Sequence, residues 1–153
     1  MKVNNSNLHL KKPNELNTYQ LNQLNTLLDE CDTHDEYSGS NLVKGNEYDL
    51  RRIVFVLDNS VVGFMTPRQD SRFDNRWRTG AIFVTANFRG MGIAPMAIKK
   101  FFKNKKGYSW ISNLNKASQN AFTSAGFVKG EERNSTNSSS PLPFEKGYNW
   151  YKN

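Results

Sequence analysis

Apolar residues recur with two different periods along this chain, and the alternation between them predicts its elements. Leu8–Leu10 is a short extended run. Pro13 then heads a segment in which Leu16, Leu21, Leu24, Leu27 and Leu28 repeat at helical spacing, so it predicts a helix with a leucine face. RRIVFVLD (51–58) and SVVGFMT (60–66) are unbroken, β-branched and aromatic, and the Asp58-Asn59 pair between them predicts an antiparallel hairpin. PRQDSRFDNRW (67–77) reads as a charged loop and RTGAIFVT (78–85) as a third strand. A basic amphipathic helix follows over 93–104, stopped by Asn104 and Gly107, and then a strand, YSWISNLN, over 108–115. Strand, glycine turn, helix, strand implies parallel pairing across the helix. A further helix over 116–124 closes at Ala125-Gly126, FVKGEER begins another strand, and YNWYK (148–152) has the aromatic content of a terminal strand.

This rhythm, without an internal repeat or a linker between two cores, predicts one α/β domain over residues 1–153. The Ser/Asn/Pro-rich stretch 134–147 is expected to be a flexible loop within it. CDTHDEYSGSNLVKGNEYD (31–49) is polar and contains glycine, so either a short helix or a substrate-facing loop suits it. Cys31 is the single cysteine, which excludes an intramolecular disulfide framework. The N-terminus lacks the apolar core of a signal peptide and no run of about 20 apolar residues occurs, so no membrane association and a cytoplasmic location are expected. A net charge of +7 favours an anionic partner: a phosphate-rich cofactor, nucleic acid or an acidic protein surface.

The chemistry concentrates in NFRGMGIAPMAIKKFF (87–102), where glycines open a helix directly after an apolar strand. Glycines allow close approach of a ligand, and unpaired N–H groups at a helix start favour an anion. A nucleotide P-loop needs a longer glycine spacing followed by Lys-Ser or Lys-Thr, and a dinucleotide fingerprint needs a third small residue and a later acid; neither is present. R-x-x-G-x-A is present as Arg89, Gly92 and Ala94, and it resembles the pyrophosphate loop of the GNAT-type (GCN5-related) N-acetyltransferase superfamily. NKASQNAFTSAGF (115–127) is similar to the next segment of that family, with Asn115, Ser118, Phe122 and Gly126-Phe127 in matching positions. The resemblance covers nearly the whole chain. It implies a GNAT-like fold, a central mixed and mostly antiparallel twisted sheet of six to seven strands flanked by helices, and transfer of an acetyl group from acetyl-CoA to a primary amine in a ternary complex. It further implies that Arg89, Gly90, Met91, Gly92, Ile93 and Ala94 hold the pyrophosphate. Ile82, Phe83 and Val84 would meet the pantetheine and acetyl oxygen, Asn115 the pantetheine arm, and Phe122 would line the channel near the thiol. Asn115 serves equally well as a helix cap.

One position departs from the family pattern. Many members place a tyrosine where this chain has Phe122, so the hydroxyl that protonates the departing thiolate is missing; Ser118 and Tyr108 are the nearby alternatives. The 78–85 strand contains no carboxylate to serve as a general base, which leaves Asp74, Asp70, Glu47, Asp49, Glu131 and Glu132, with Asp74 carried forward. Cys31-x-x-His34, followed by Asp35 and Glu36, lacks a second pair at matching spacing, so no metal is expected; His34 would be a base only if its loop covers the acceptor. Lys99, Lys100, Lys103, Lys105 and Lys106 complement a helix C-terminus, while Arg68, Arg72, Arg76 and Arg78 with Phe73 and Trp77 mix charge and aromatics as a nucleic-acid or acidic-protein surface would. The acceptor class stays open among a protein, an aminoacyl-tRNA and a small amine. A catalytically weak or inactive GNAT-fold binding protein is the alternative, and the assembly is expected to be a monomer or homodimer, the latter through the C-terminal aromatic strand as an exposed edge.

Overall fold

The computed structural model describes residues 3–32, 52–133 and 148–153. Its first sheet has the order β1 (Leu8–Lys11), β2 (Ile53–Leu57), β3 (Ser60–Met65) and β6 (Ile82–Val84), all antiparallel. Asp58 and Asn59 both take positive φ, 46° and 71°, which is the conformation a two-residue hairpin turn needs to match strand twist. The unbroken apolar runs are explained by burial on both faces. Val54, Val56 and Phe64 meet Leu24, Leu27, Leu28 and Cys31 of helix α1 (Thr18–Asp32). Phe55, Leu57 and Met65 meet Ile93, Ala97, Ile98 and Phe101 of helix α2 (Ile93–Phe101) on the other side.

Helix α1 begins later than the leucine spacing suggests. Pro13 opens a separate 3-10 turn, and the helix is started by a reciprocal pair in which Gln20 N donates to Asn17 Oδ1 (2.8 Å) and Asn17 N donates to Gln20 Oε1 (3.0 Å). Helix α2 ends at Phe101 rather than near 104.

The second sheet has the order β4 (Arg68–Asp70), β5 (Arg76–Arg78), β7 (Gly107–Ser112), β9 (Tyr148–Lys152) and β8 (Val128–Arg133). Only β5 and β7 run parallel, with Trp77 opposite Gly107 and Arg78 opposite Tyr108. Helix α3 (Lys116–Ser124) packs beside α2. A succession of edge-to-face rings, Trp77–Phe101–Phe102–Phe127–Phe122, with centroids 5.0–5.6 Å apart, ties β5, α2 and α3 into one core.

Three expectations need correction. Residues 67–77 are not a loop but the β4–β5 hairpin, its turn made by the short helical turn Ser71–Phe73 and the left-handed residues Asp74 and Asn75. The C-terminal strand is not an exposed edge, because β9 is hydrogen-bonded on one side to β7 and on the other to β8. The single strand expected over 78–85 is two: the chain pairs with β7 as far as Arg78, passes through Thr79-Gly80-Ala81, and then pairs with β3. Gly80 makes the switch with φ of +64°, and a Cβ there would collide with the Thr66 carbonyl oxygen. Thr66 fastens the far side, its N donating to Ala81 O and its Oγ1 accepting from Ala81 N, each at 3.1 Å. The stretch 134–147 lies outside the described residues. Among those described, no helix is long and apolar enough to cross a membrane.

Gly80→Ala combines positive-φ strain with that collision, whereas Gly126→Ala meets only the strain, since Gly126 has φ of +96° and open space around it. Urea unfolding is expected to show a loss of about 1 kcal/mol for Gly126→Ala and at least about 2 kcal/mol for Gly80→Ala. Equal losses would show that the sheet switch tolerates a side chain.

Candidate active site

Because β6 stays with β3 while β7 runs on in the second sheet, the two strands diverge and leave space on both sides of their junction. One cleft, of about 540 Å³, lies between β6, the turn Arg89–Gly92 with the first turn of α2, and one face of α3. Another, of about 650 Å³, lies between Thr79–Ile82, β7 and the start of α3. They share Ile82, Asn115, Ala117, Ser118 and Phe122, so a group at these residues is reached from either side.

The β6 backbone is oriented by its ladder. Thr85 N donates to Val62 O (2.9 Å) and Thr66 N to Ala81 O (3.1 Å), with Phe83 opposite Phe64 midway between. Antiparallel alternation therefore turns the main-chain groups of Ile82 and Val84 away from β3, toward the cleft. Phe83 itself is a buried core residue, 2% exposed. Gly90 and Gly92 have φ of +77° and +81°, and a Cβ on either would meet nothing within 4 Å. The protein needs glycine there for backbone conformation, and the space beside both stays open to a ligand. Gly92 caps α2 with no side-chain hydrogen bond, the first helical bond runs from Met96 N to Gly92 O (3.2 Å), and Pro95 has no N–H. The N–H groups of Ile93 and Ala94 consequently have no acceptor within the helix.

Most residues of the expected loop line this cleft, with two differences. The Arg89 N–H is already donated to Ala86 O (3.3 Å), closing the 3-10 turn Ala86–Phe88. Its side chain turns back, Nε donating to Val84 O (2.8 Å) and the guanidinium standing 5.2 Å from the Phe83 ring centroid. Met91 does not line the cleft; it packs against the main core. On α3, Asn115 caps the helix, its Oδ1 accepting from Ser118 N at 3.1 Å. Ser118 and Phe122 lie one turn apart on the cleft face. The sequence reading missed Ala117 and Ala121, which lie on the same face; their i, i+4 spacing of small residues is the signal that would have found them.

The sequence pattern of the Acetyltransferase (GNAT) family matches residues 19–127. The chain belongs to this family. Comparison with curated proteins finds no sequence match. Among solved structures, a GNAT-family acetyltransferase from Bacillus cereus ATCC 10987 superposes with a TM-score of 0.64 at 19% identity, covering 95% of this chain and 96% of that one. RimL, a ribosomal L7/L12 alpha-N-protein acetyltransferase in complex with coenzyme A, gives 0.71 at 11% identity, covering 97% and 94%. The microcin C7 self-immunity acetyltransferase MccE, in complex with acetyl-CoA and AMP, gives 0.63 at 15%, covering 97% and 93%. At these identities the likeness carries the GNAT fold alone.

The acid–base candidates separate by position. Ser118 lies at the junction of the two GNAT clefts, half-buried. Asp74 sits exposed in the β4–β5 turn and lines neither cleft. Tyr108 and Asp70 are occupied with each other: Tyr108 Oη donates to Asp70 Oδ2 at 2.7 Å, and Asp70 also accepts from Arg72 N (3.0 Å), Nε (3.1 Å) and Nη2 (3.2 Å). The Arg72 hydrogen bonds outweigh burial and hold the Asp70 carboxyl at about 2, while burial, then the Asp70 bond, pushes Tyr108 up to about 12. Neither value suits proton transfer near neutral pH. His34, Glu47 and Asp49 lie outside the described residues; Glu131 and Glu132 are on β8. Cys31 is wholly buried on the leucine face, and among the described residues no three metal-ligating side chains cluster.

Asp70 and Tyr108 form a structural fastening between the β4–β5 hairpin and β7. Tyr108→Phe is expected to lower stability by about 1 kcal/mol. The Asp70 carboxyl is depressed in the folded state, so its contribution is complete above its ordinary value of 3.8 and is lost as pH falls through about 2. Thermal melts between pH 2 and 5 should therefore fall less steeply for Asp70→Asn than for wild type; parallel curves would refute the fastening.

Proposed function

We propose that this protein is an N-acetyltransferase that moves the acetyl group of acetyl-CoA to a primary amine while both are bound. The observation that carries the reading is the glycine turn: two positive-φ glycines with open space beside them, ahead of helix N–H groups that lack a helical acceptor, where β6 turns its backbone toward the same cleft. That arrangement suits a pyrophosphate on the backbone of Gly90–Ala94 and an extended amide-containing arm along Ile82–Val84, with Asn115 on the opposite side. Acetyl-CoA supplies a thioester carbonyl. As the amine nitrogen bonds to that carbon, the carbon–sulfur bond breaks and the thiolate leaves. Main-chain groups of β6 polarise the carbonyl, and the amine approaches from the cleft on the β7 side.

Phe122 fills the position where many family members carry a hydroxyl, and Ser118, one turn earlier, supplies the hydroxyl at the cleft junction instead. In our reading Ser118 gives the thiolate its proton, directly or through water, and the base that takes the ammonium proton is water or a group outside the described residues. The acceptor is a protein amine, an aminoacyl-tRNA or a small amine. The named neighbours differ in what they act on, and fold does not choose among acceptors. The alternative, a weak or inactive binding protein, rests on Phe122. The basic surface lends it little, because many of the groups concerned are engaged within the fold. Arg72 is bound to Asp70, Arg76 Nη1 donates to Gly107 O (3.0 Å), Lys100 Nζ donates to Asn5 O (2.9 Å), and Trp77 lies edge-on to Phe101.

Calorimetric titration with acetyl-CoA is expected to show binding to wild type and none to Gly92→Trp, whose side chain fills the cradle while circular dichroism stays near native. Binding that survives the substitution would remove the loop from the site, and no wild-type binding at millimolar cofactor would end the proposal. With an amine that supports thiol release, Ser118→Ala should lower kcat about 10-fold or more at unchanged KM for acetyl-CoA, and Phe122→Tyr should raise it. An unaffected kcat in Ser118→Ala assigns the proton to water.

A further inference from the structure

The glycine turn does not begin from a free strand end. The last turns of α1 arrive beside the end of β6, and there the Glu30 carboxylate accepts hydrogen bonds from the loop: Thr85 Oγ1 donates to Oε2 at 2.7 Å and Ala86 N donates to Oε1 at 3.1 Å. Thr85 is the N-cap of the 3-10 turn Ala86–Phe88 and makes no cap bond with its own side chain, so a carboxylate 55 residues earlier in the chain caps the turn. The turn closes through Phe88 N to Thr85 O (3.0 Å) and Arg89 N to Ala86 O (3.3 Å), and Gly90 follows at once. From the other side, Arg89 Nε holds Val84 O. Residues 84–89 are thus clamped between a carboxylate from α1 and a guanidinium from the loop itself.

We propose that Glu30 is a positioning residue for the cofactor turn: by capping Ala86 and holding Thr85 it sets where Gly90 and Gly92 present their backbone at the cleft. The proposal rests on the acetyl-CoA reading above. A net negative charge near an anion site is unfavourable unless donors consume it, and here a hydroxyl and a backbone N–H do so. α1 is otherwise anchored by leucines against β3 and has no need of this contact to pack, so the bond sets the loop rather than the helix. A glutamine retains the geometry toward the loop, its oxygen accepting from Ala86 N and its amide donating to the Thr85 hydroxyl, whereas alanine removes the Thr85 and Ala86 contacts.

The test is calorimetric titration of full-length wild type, Glu30→Ala, Glu30→Gln and Thr85→Val with coenzyme A, alongside amide spectra of each. Glu30→Ala should weaken binding about 10-fold and Thr85→Val by less, while Glu30→Gln stays within about 2-fold of wild type. Amide shifts should concentrate at 84–94, with Gly90 and Gly92 prominent. Should Glu30→Ala fail to fold, Glu30→Gln and Thr85→Val decide. Wild-type-like binding by the variants that lack the contacts, or a glutamine variant as impaired as the alanine one, overturns the positioning role. Failure of wild type to bind coenzyme A would instead remove the reading beneath it, and the amide shifts at Gly90 and Gly92 would still report whether Glu30 sets the turn.

Discussion

Both clefts depend on one backbone event, the passage of the chain from the second sheet to the first at Thr79-Gly80-Ala81. Extended residues on either side of it pair with different neighbours, and Gly80 makes the passage with a φ of +64° and a close approach to Thr66 that leave no room for a side chain. The parallel β5–β7 ladder stops at Arg78, and β6 is thereafter held to β3 alone within its sheet. Backbone that would have been consumed by a continuing parallel ladder is turned toward the cleft instead. A hydrogen-bonding edge inside a protein is a liability unless something covers it. In this fold the covering groups include the Arg89 side chain on Val84 O and, in the reading we favour, the amide-rich arm of a cofactor.

What could be read from the residues followed the strength of the local signals. The β2–β3 hairpin was legible because both flanking runs are buried on two faces and the two-residue turn is polar. The glycine turn was legible because positive φ at Gly90 and Gly92 leaves a compositional mark. Gly80 leaves the same mark, yet it sits in an apolar run that looks like one strand, and nothing local reveals that its two halves have different partners. The β4–β5 hairpin was hidden for a related reason: its strands are three residues each, too short for a period, and it is held by contacts distant in sequence, among them the Asp70–Tyr108 bond across 38 positions and the β5–β7 ladder. Leu16 matched the helical spacing but belongs to the approach to α1, since the Asn17–Gln20 pair starts the helix after it.

Residues proposed for chemistry were legible to the extent that they double as conformational signals. Gly92 and Asn115 were visible as a helix opening and a strand end. Ser118 and Phe122 came only from the resemblance of residues 115–127 to the family's segment. Glu30 had no such signal, because a glutamate near the end of a helix looks like surface charge until the fold brings it to Thr85 and Ala86. Asp74 is an acid close in sequence to the third strand, yet sequence proximity carries little across a tight turn, and Asp74, in the left-handed turn with Asn75, lines neither cleft.

The two helices at the cleft also differ in how far each leaves its N-terminus open to an anion. Both have nine residues and both begin beside the same space. At α3 the first turn is closed by the chain itself: Asn115 Oδ1 takes the Ser118 N–H, and Lys116 adds a positive charge where the helix dipole is already positive. At α2 nothing comparable occurs. Gly92 brings no side chain, no acidic residue stands in the first turn, and the dipole is left uncompensated at its positive end while Lys99 and Lys100 complement the negative one. A protein that needed only a stable helix would have gained roughly a few tenths of a kcal/mol by capping α2 with a side chain as it caps α3. It carries glycine there, in a conformation other residues resist and with nothing of its own beside it, and in the reading we favour the negative charge of a ligand completes the cap.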